Sequence, residues 1–344
     1  MKQITTRTEH APEIYADFWF NSRPLSIQSL QGSVVLLLFW NFTSEASLRA
    51  VRIAEAFHGQ YAEMGLTVIG IHTPEFHFAK DPRRVEETIR RLDLHFAIAT
   101  DNTRTMWDAY RVREIPTMIL IDRENILYAI HTGETGYEHL ERSVQALLRD
   151  AGYRGILPPL FSIVQKPVDY PSVPIPAMQT GYLHGALGNV EGYSPELPAH
   201  YTDPGVHVER KFYAQGLWRA GKNSFEYCGE SAEGGDGYLT FTFSGSDVNA
   251  VIGADQPAAV RLEMDRASVP PASLGHDVVI DGNGKSFVQV SEAKLVYLIR
   301  SNDAAKHILK ISPGVRGTII YSISFDTPSG LQEHEQREEK FRNN

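Results

Sequence analysis

Apolar and polar residues change rhythm twice along the 344-residue chain. Between residue 17 and about residue 150, short apolar runs alternate with stretches of helical spacing. Residues 33–39 are almost wholly apolar, as a strand buried on both faces requires. Residues 66–71 form a second such run, and 96–99, 117–122 and 126–132 read as further strands. Leu48, Val51, Ile53, Ala54, Phe57, Tyr61 and Met64 recur near the helical period, which predicts a helix over 44–64 ended by Gly65. Pro82, at a favoured first helical position, opens a charged helix to about residue 92. A short helix carrying Trp107 is predicted over 103–110, and a closing helix over 137–148. Residues 18–20 and 24–27, with 21–23 as the turn, read as a short hairpin. Buried strands alternating with helices predict an α/β layer fold.

The rhythm then breaks. Residues 151–180 hold Pro158, Pro159, Pro167, Pro171, Pro174 and Pro176, a density that excludes a helix and disfavours central strands. This stretch reads as an extended linker packing along a domain surface. Beyond it helical spacing nearly vanishes. Strands are predicted at 206–213, 216–219, 225–228, 238–244, 247–253, 258–264, 277–280, 286–290, 294–299, 306–311 and 317–325. Turn signals such as DGNG at 281–284 and SPG at 312–314 separate them. Many short, evenly spaced strands predict an all-β, jelly-roll-type sandwich. The expected organisation is an N-terminal arm (1–16), an α/β domain (17–150), a linker (151–180), a sandwich (181–327) and a polar tail (328–344). No internal repeat is visible.

Composition narrows the function. A formal net charge of -9 argues against nucleic acid as partner, since that needs a basic footprint. The single cysteine, Cys228, leaves no intrachain disulfide to report a compartment. The first 21 residues lack the apolar core and small-residue cleavage pattern of a leader, and the longest apolar run, 34–40, is too short to span a bilayer. The expectation is a cytoplasmic chain that does not engage a membrane.

The most informative stretch is FWNFTSEASLR, residues 39–49. It ends a strand with an aromatic pair, Phe39-Trp40, and starts a helix. Arg113-Glu114-Ile115-Pro116-Thr117 forms a loop before a later strand. Between and after these lie Ile71-His72-Thr73-Pro74-Glu75-Phe76, Thr100-Asp101-Asn102, Met106-Trp107 and His131-Thr132-Gly133-Glu134. In order and spacing the set resembles the redoxin branch of the thioredoxin superfamily, specifically its TlpA-like and DipZ-like proteins, over residues 17–148. The resemblance implies a thioredoxin-like fold, with a cis peptide bond before Pro116 facing the loop of a Cys-x-x-Cys redox site. The second half, through 188–193, 216–218 and Pro313-Gly314-Val315, resembles the carbohydrate-binding-module-like sandwich that some DipZ-like proteins carry.

At the two thiol positions the resemblance places Ser44 and Ser47. A hydroxyl does not ionise as a helix-activated thiol does, and it forms no disulfide. Cys228 lies in the other half, where alternation with Phe225 and Tyr227 predicts a packed strand residue. Dithiol exchange within this chain is therefore excluded, and no catalytic residue is assigned. Ser44 suits a helix cap, and Glu45 suits the first turn of a helix. The expected function is binding or scaffolding. An extended protein or peptide partner would pair along Ile115, Pro116 and Thr117, with Trp40, Phe42 and Glu45 flanking the cleft. An alternative keeps redoxin-type oxidoreductase activity with partner thiols. A further alternative is carbohydrate stacked on Tyr182, Tyr193 and Trp218, with Tyr201 and Tyr213 beside them. No nucleophile elbow or phosphate loop occurs. His72, His77, His131 and His139 lack metal-ligand spacing and read as scattered surface residues, so neither metal nor cofactor is expected.

Overall fold

A computed structural model describes residues 2–3, 9–161, 177–229, 237–244, 247–300 and 305–326. The chain divides into two compact units, Met1–Gln165 and Lys166–Asn344. The expected polar tail at 328–344 and most of the proline-rich stretch, 162–176, lie outside the described residues.

The first unit is built on strands β1 (Lys2–Gln3), β2 (Trp19–Phe20), β3 (Val34–Trp40), β4 (Leu66–His72), β5 (Ala97–Thr100), β6 (Thr117–Ile121) and β7 (Leu127–Thr132). Its helices are α1 (Glu45–Tyr61), α2 (Pro82–Leu92), α3 (Thr105–Ala109) and α4 (Tyr137–Asp150). The sheet order is β1-β7-β6-β3-β4-β5-β2, with β3, β4 and β5 parallel and the other pairs antiparallel. All seven residues of β3 are buried, which is what a central strand covered on both faces demands. Helix α2 begins and ends as read: Asp81 caps it, Pro82 stands first, and Asp93 closes it in the left-handed region. At Gly70 a side chain would strike Phe96 and the Trp40 indole, so the close packing beside β4 requires glycine.

Two expectations need correction. The hairpin over 18–27 does not form. β2 instead pairs with β5, Trp19 opposite Ala99, and the Asn21 amide donates to the carbonyls of Leu94 and Phe96, tying the turn to the start of β5. The N-terminal arm also joins the fold, since β1 pairs with β7 and Ile14 is part of the core.

The second unit is all-antiparallel. Its strands are β8 (Met178–Gln179), β9 (Pro198–Tyr201), β10 (Phe212–Ala220), β11 (Phe225–Tyr227), β12 (Tyr238–Ser244), β13 (Asp247–Ala254), β14 (Ala258–Met264), β15 (Ala267–Ser268), β16 (Val278–Ile280), β17 (Ser286–Val290), β18 (Lys294–Arg300), β19 (Lys306–Ser312) and β20 (Thr318–Asp326). Two layers share β10. Its residues 212–215 pair with β12, continuing to β19, β14, β17 and β16. Its residues 216–220 pair with β9 and β11, continuing to β20, β13 and β18. Gly216 sits at the change of sheet with φ +95, a conformation that strains any residue with a Cβ. Phe212 on one layer meets Phe225 on the other, and Phe241 meets Phe325, so one aromatic core fills the space between them. The strand expected at 206–213 starts only at Phe212. The preceding loop is held instead by Asp203, whose carboxylate accepts from His207 and from the Tyr238 hydroxyl.

Candidate functional site

The loop between β3 and α1 is shaped by its own short polar side chains. Asn41 Oδ1 accepts from both the amide and the hydroxyl of Thr43, at 3.0 and 2.9 Å. Ser44 is extended (φ -117, ψ 119), and its Oγ accepts from the Ser47 amide at 3.2 Å. That is a serine N-cap, filling one of the amides that a helix start leaves open. Ser47 lies one turn on, fully buried, and its hydroxyl has no hydrogen-bond partner.

Glu45 at the first helical position meets Arg49 one turn later, with Nη1 3.1 Å from Oε1. Arg49 then reaches the β7–α4 loop as a fork, Nε to Glu134 Oε1 at 2.5 Å and Nη2 to Glu134 Oε2 at 2.9 Å. The Arg49 side chain is only 11% exposed. A planar fork on a carboxylate fixes direction as well as distance. Arg49 therefore ties the start of α1 to Gly133-Glu134, and Gly133 in turn donates to the Pro116 carbonyl at 2.9 Å.

The Ile115–Pro116 bond is cis. Phe39 lies opposite Thr117 in the β3–β6 ladder, which brings the Pro116 loop beside the loop that follows β3. Thr117 Oγ1 donates back to the Glu114 carbonyl at 2.7 Å, bracing the turn. The sheet thus gathers Ser44, Glu45, Ile115, Pro116 and Thr117 at one end. Arg113 and Glu114 are exposed, Ser44, Glu45 and Ile115 half-buried, and Pro116 and Thr117 buried.

Trp40 and Phe42 do not flank an open groove, contrary to expectation. Trp40 is fully buried, and Phe42 is 8% exposed and turned inward. Phe42 stacks on His72 with centroids 5.2 Å apart and planes 12° apart, while Trp40 meets His72 in a T-shaped contact at 5.2 Å. Phe78 continues the row from Phe42, Phe76 stacks on Phe78, and the Arg84 guanidinium lies 5.2 Å over the Phe78 ring. The row packs behind the 41–44 loop.

Nor are all four histidines on the surface. His77 and His139 are exposed, but His72 and His131 are buried. Neither nitrogen of the His72 ring has a hydrogen-bond partner. Burial pushes the His72 imidazole down to about 3 and His131 to about 4, so both are neutral over the physiological range. Among the described residues no group of three or more His, Cys, Asp and Glu side chains is placed to hold a metal ion. Arg49 and Glu134 are the residues that sequence reasoning missed. The four-residue spacing of Glu45 and Arg49 was a readable signal; Glu134 stood in a quoted motif, but nothing in the sequence paired it with Arg49, 85 positions away.

In the second unit Trp218 is core. It is fully buried, stacks on Phe225 at 5.1 Å, and donates from Nε1 to the Gln215 carbonyl at 2.8 Å. It therefore presents no face to a sugar. Tyr201 and Tyr213 are buried as well. Tyr182 and Tyr193 are half-buried, with their hydroxyls engaged at Glu196 and at the Thr180 carbonyl. Cys228 is buried near the end of β11, and desolvation raises its thiol above the ordinary range.

Residues 8–130 match the AhpC/TSA family, and residues 182–325 match the thioredoxin like C-terminal domain. Protein DipZ of Mycobacterium bovis is 29% identical over 260 residues, covering 73% of this chain and 36% of DipZ. The chain thus spans about a third of that relative's length. The thiol-disulfide oxidoreductase ResA of Halalkalibacterium halodurans is 27% identical over 128 residues, covering 37% of this chain and 69% of ResA. Among solved structures, a thiol-disulfide isomerase from Corynebacterium glutamicum is 25% identical and matches with a TM-score of 0.38, covering 40% of this chain and 96% of its own. Among the described residues no helix is long and apolar enough to cross a membrane.

Proposed function

We propose that this chain, an AhpC/TSA domain followed by a thioredoxin like C-terminal domain, is a binding member of the thiol-disulfide oxidoreductase-like thioredoxin-fold proteins, without dithiol chemistry of its own. One observation carries the reading. Where the resemblance places the attacking thiol, the Ser44 hydroxyl accepts the Ser47 amide and is spent as a helix cap. Thiol–disulfide exchange needs a thiolate to attack and a second sulfur to resolve. The sequence holds one cysteine, and it lies buried in the other unit with its thiol pushed up rather than down.

The partner is an extended segment of a protein or peptide at the loop of Ile115, Pro116 and Thr117, pairing in the manner of an added strand with the backbone that precedes Pro116, since Thr117 already lies between β3 and β7. Ser44, Glu45 and the half-buried Ile115 form the adjoining rim. Glu45 shares Arg49 with Glu134, so this rim keeps an excess of negative charge and favours a neutral partner over an acidic one.

The opposing reading is oxidoreductase activity with partner thiols, and it rests on the relatives called thiol-disulfide oxidoreductases. Reduction of insulin by dithiothreitol decides between them. The full chain should match its Ser44→Ala/Ser47→Ala variant; turnover clearly above that variant sinks the proposal. For the binding surface, affinity capture on the full chain should recover partners that an Ile115→Lys chain does not. Recovery unaffected by that substitution would move the contact elsewhere.

A further inference from the structure

After α4 the chain turns back on itself. Gly152 adopts φ +104, the Tyr153 amide donates to the Leu148 carbonyl, and Arg149 Nη1 donates to the carbonyls of Tyr153 and Gly155 at 3.0 and 2.8 Å. Residues 156–161, ILPPLF, then run antiparallel to α4 along its seam with α1. Gln145 Nε2 on α4 donates to the Pro158 carbonyl at 2.9 Å. Gln60 Nε2 on α1 donates to the Pro159 carbonyl at 3.3 Å. Glu141 Oε2, on a fully buried side chain, accepts from the Phe161 amide at 2.9 Å. The Phe161 ring stacks on Phe57 at 5.8 Å and stands edge-on to Tyr61 at 6.4 Å.

The pattern of donors and acceptors in this groove matches the segment's chemistry. Proline offers a carbonyl but no N–H, and the two prolines meet amide donors. Phe161 offers an N–H, and it meets a carboxylate. The groove groups are themselves linked through one atom. Tyr61 OH donates to Glu141 Oε1 at 2.5 Å and accepts from Gln145 and Gln60 at 2.9 and 3.3 Å. Consecutive prolines hold an extended backbone before binding, so little entropy is lost on docking. Ile156 and Pro159 stay exposed, so the segment lies on the surface of the unit rather than inside it.

We propose that the groove between α1 and α4 is a recognition site for an extended Pro-Pro-x-Phe peptide, which the chain occupies with its own residues 158–161. It is separate from the cleft at Pro116, because its residues come from the far end of α1 and the middle of α4. In the closed chain the site is self-occupied, and a competing proline-rich segment must displace the strap to enter.

The test uses the full chain with residues 158–161 replaced by Gly-Ser-Gly-Ser, and a fluorescein-labelled synthetic peptide of residues 155–163. Anisotropy should show saturable binding to the replaced chain. Binding should be at least tenfold weaker to the unaltered chain, and at least tenfold weaker for the peptide carrying Phe161→Ala. No binding to a replaced chain that is folded by circular dichroism overturns the proposal, as does equal binding to the unaltered chain. Should the replaced chain not fold, hydrogen exchange on the intact Phe161→Ala chain decides. Faster exchange confined to 156–161 supports a docked strap, and equal loss of protection across α1 and β3 overturns it.

Discussion

His72 makes the first unit acid-sensitive by a calculable amount. The imidazole packs against the Phe42 ring and the Trp40 indole, with neither nitrogen bonded, and burial alone pushes it from 6.5 to about 3. The folded-state value is depressed, so between about 6.5 and 3 the unfolded chain binds a proton that the folded chain refuses. Stability is therefore fully present above about pH 6.5 and falls as the pH drops through that window. At pH 5 the unfolded histidine is protonated about thirtyfold over neutral, while the folded one is almost wholly neutral. That ratio is about 1.5 logarithmic units, or about 2 kcal/mol lost relative to pH 8. His131 adds a loss of its own in the same direction. A His72→Phe variant isolates the first effect, because the ring stack is kept and the titration removed. Urea denaturation of both chains at about pH 8 and pH 5, followed by a probe in the first unit, should show the variant losing about 2 kcal/mol less than the wild type. Equal losses would mean that His72 is bonded or hydrated in solution, and the account of the buried row would fail.

Three other outcomes are expected at the loop. Ser44→Ala removes the cap on the Ser47 amide and should cost about 1 kcal/mol in denaturant unfolding of the first unit, with Ser44→Asp restoring most of it. Arg49→Ala leaves Glu134 facing a partly buried site without its fork and should cost about 2 kcal/mol, while Arg49→Lys should recover less than half, since an ammonium cannot bond both oxygens in plane. Ser44→Cys/Ser47→Cys should form an intramolecular disulfide on mild oxidation, read as a two-dalton mass loss reversed by reductant; failure to form it, on folded protein, would show that the two positions are not a degenerate redox pair.

The layered first unit was legible because its signals are local. Unbroken apolar runs gave β3 and β4, Pro82 marked the start of α2, and the spacing through Tyr61 marked α1. The second unit was legible strand by strand: the predicted spans 238–244, 258–264 and 286–290 coincide with β12, β14 and β17. The failures share one physical cause, competition from distant partners. Residues 18–27 carry a sound turn at Asn21, but its side chain finds carbonyls at Leu94 and Phe96, and β2 finds β5. Alternation in 206–211 was offset by the Asp203 anchor, which pins that loop through His207 and Tyr238. Aromatic identity alone also misled. Trp40 and Trp218 are both fully buried, and a large apolar ring gains as much from a core as from a ligand.

The same competition explains what holds the loop in place without sulfur. In a redox site the first turn of α1 must accommodate a developing thiolate, so its amides stay available and its neighbours stay uncharged or positive. Here every one of those features is turned to structure. The Ser47 amide is taken by Ser44, the Glu45 carboxylate occupies the positive end of the helix, and Arg49 divides its donors between Glu45 and Glu134. An anion approaching Ser44 would meet a capped helix start beside a carboxylate. Under the proposed function, a neutral extended backbone at the Ile115–Pro116 loop is the ligand that this rim opposes least. That argument gives a charge preference open to measurement. Glu45→Gln should leave binding of a neutral peptide within about twofold while strengthening that of an acidic one severalfold. A loss of binding for both would make Glu45 a direct contact rather than a guard.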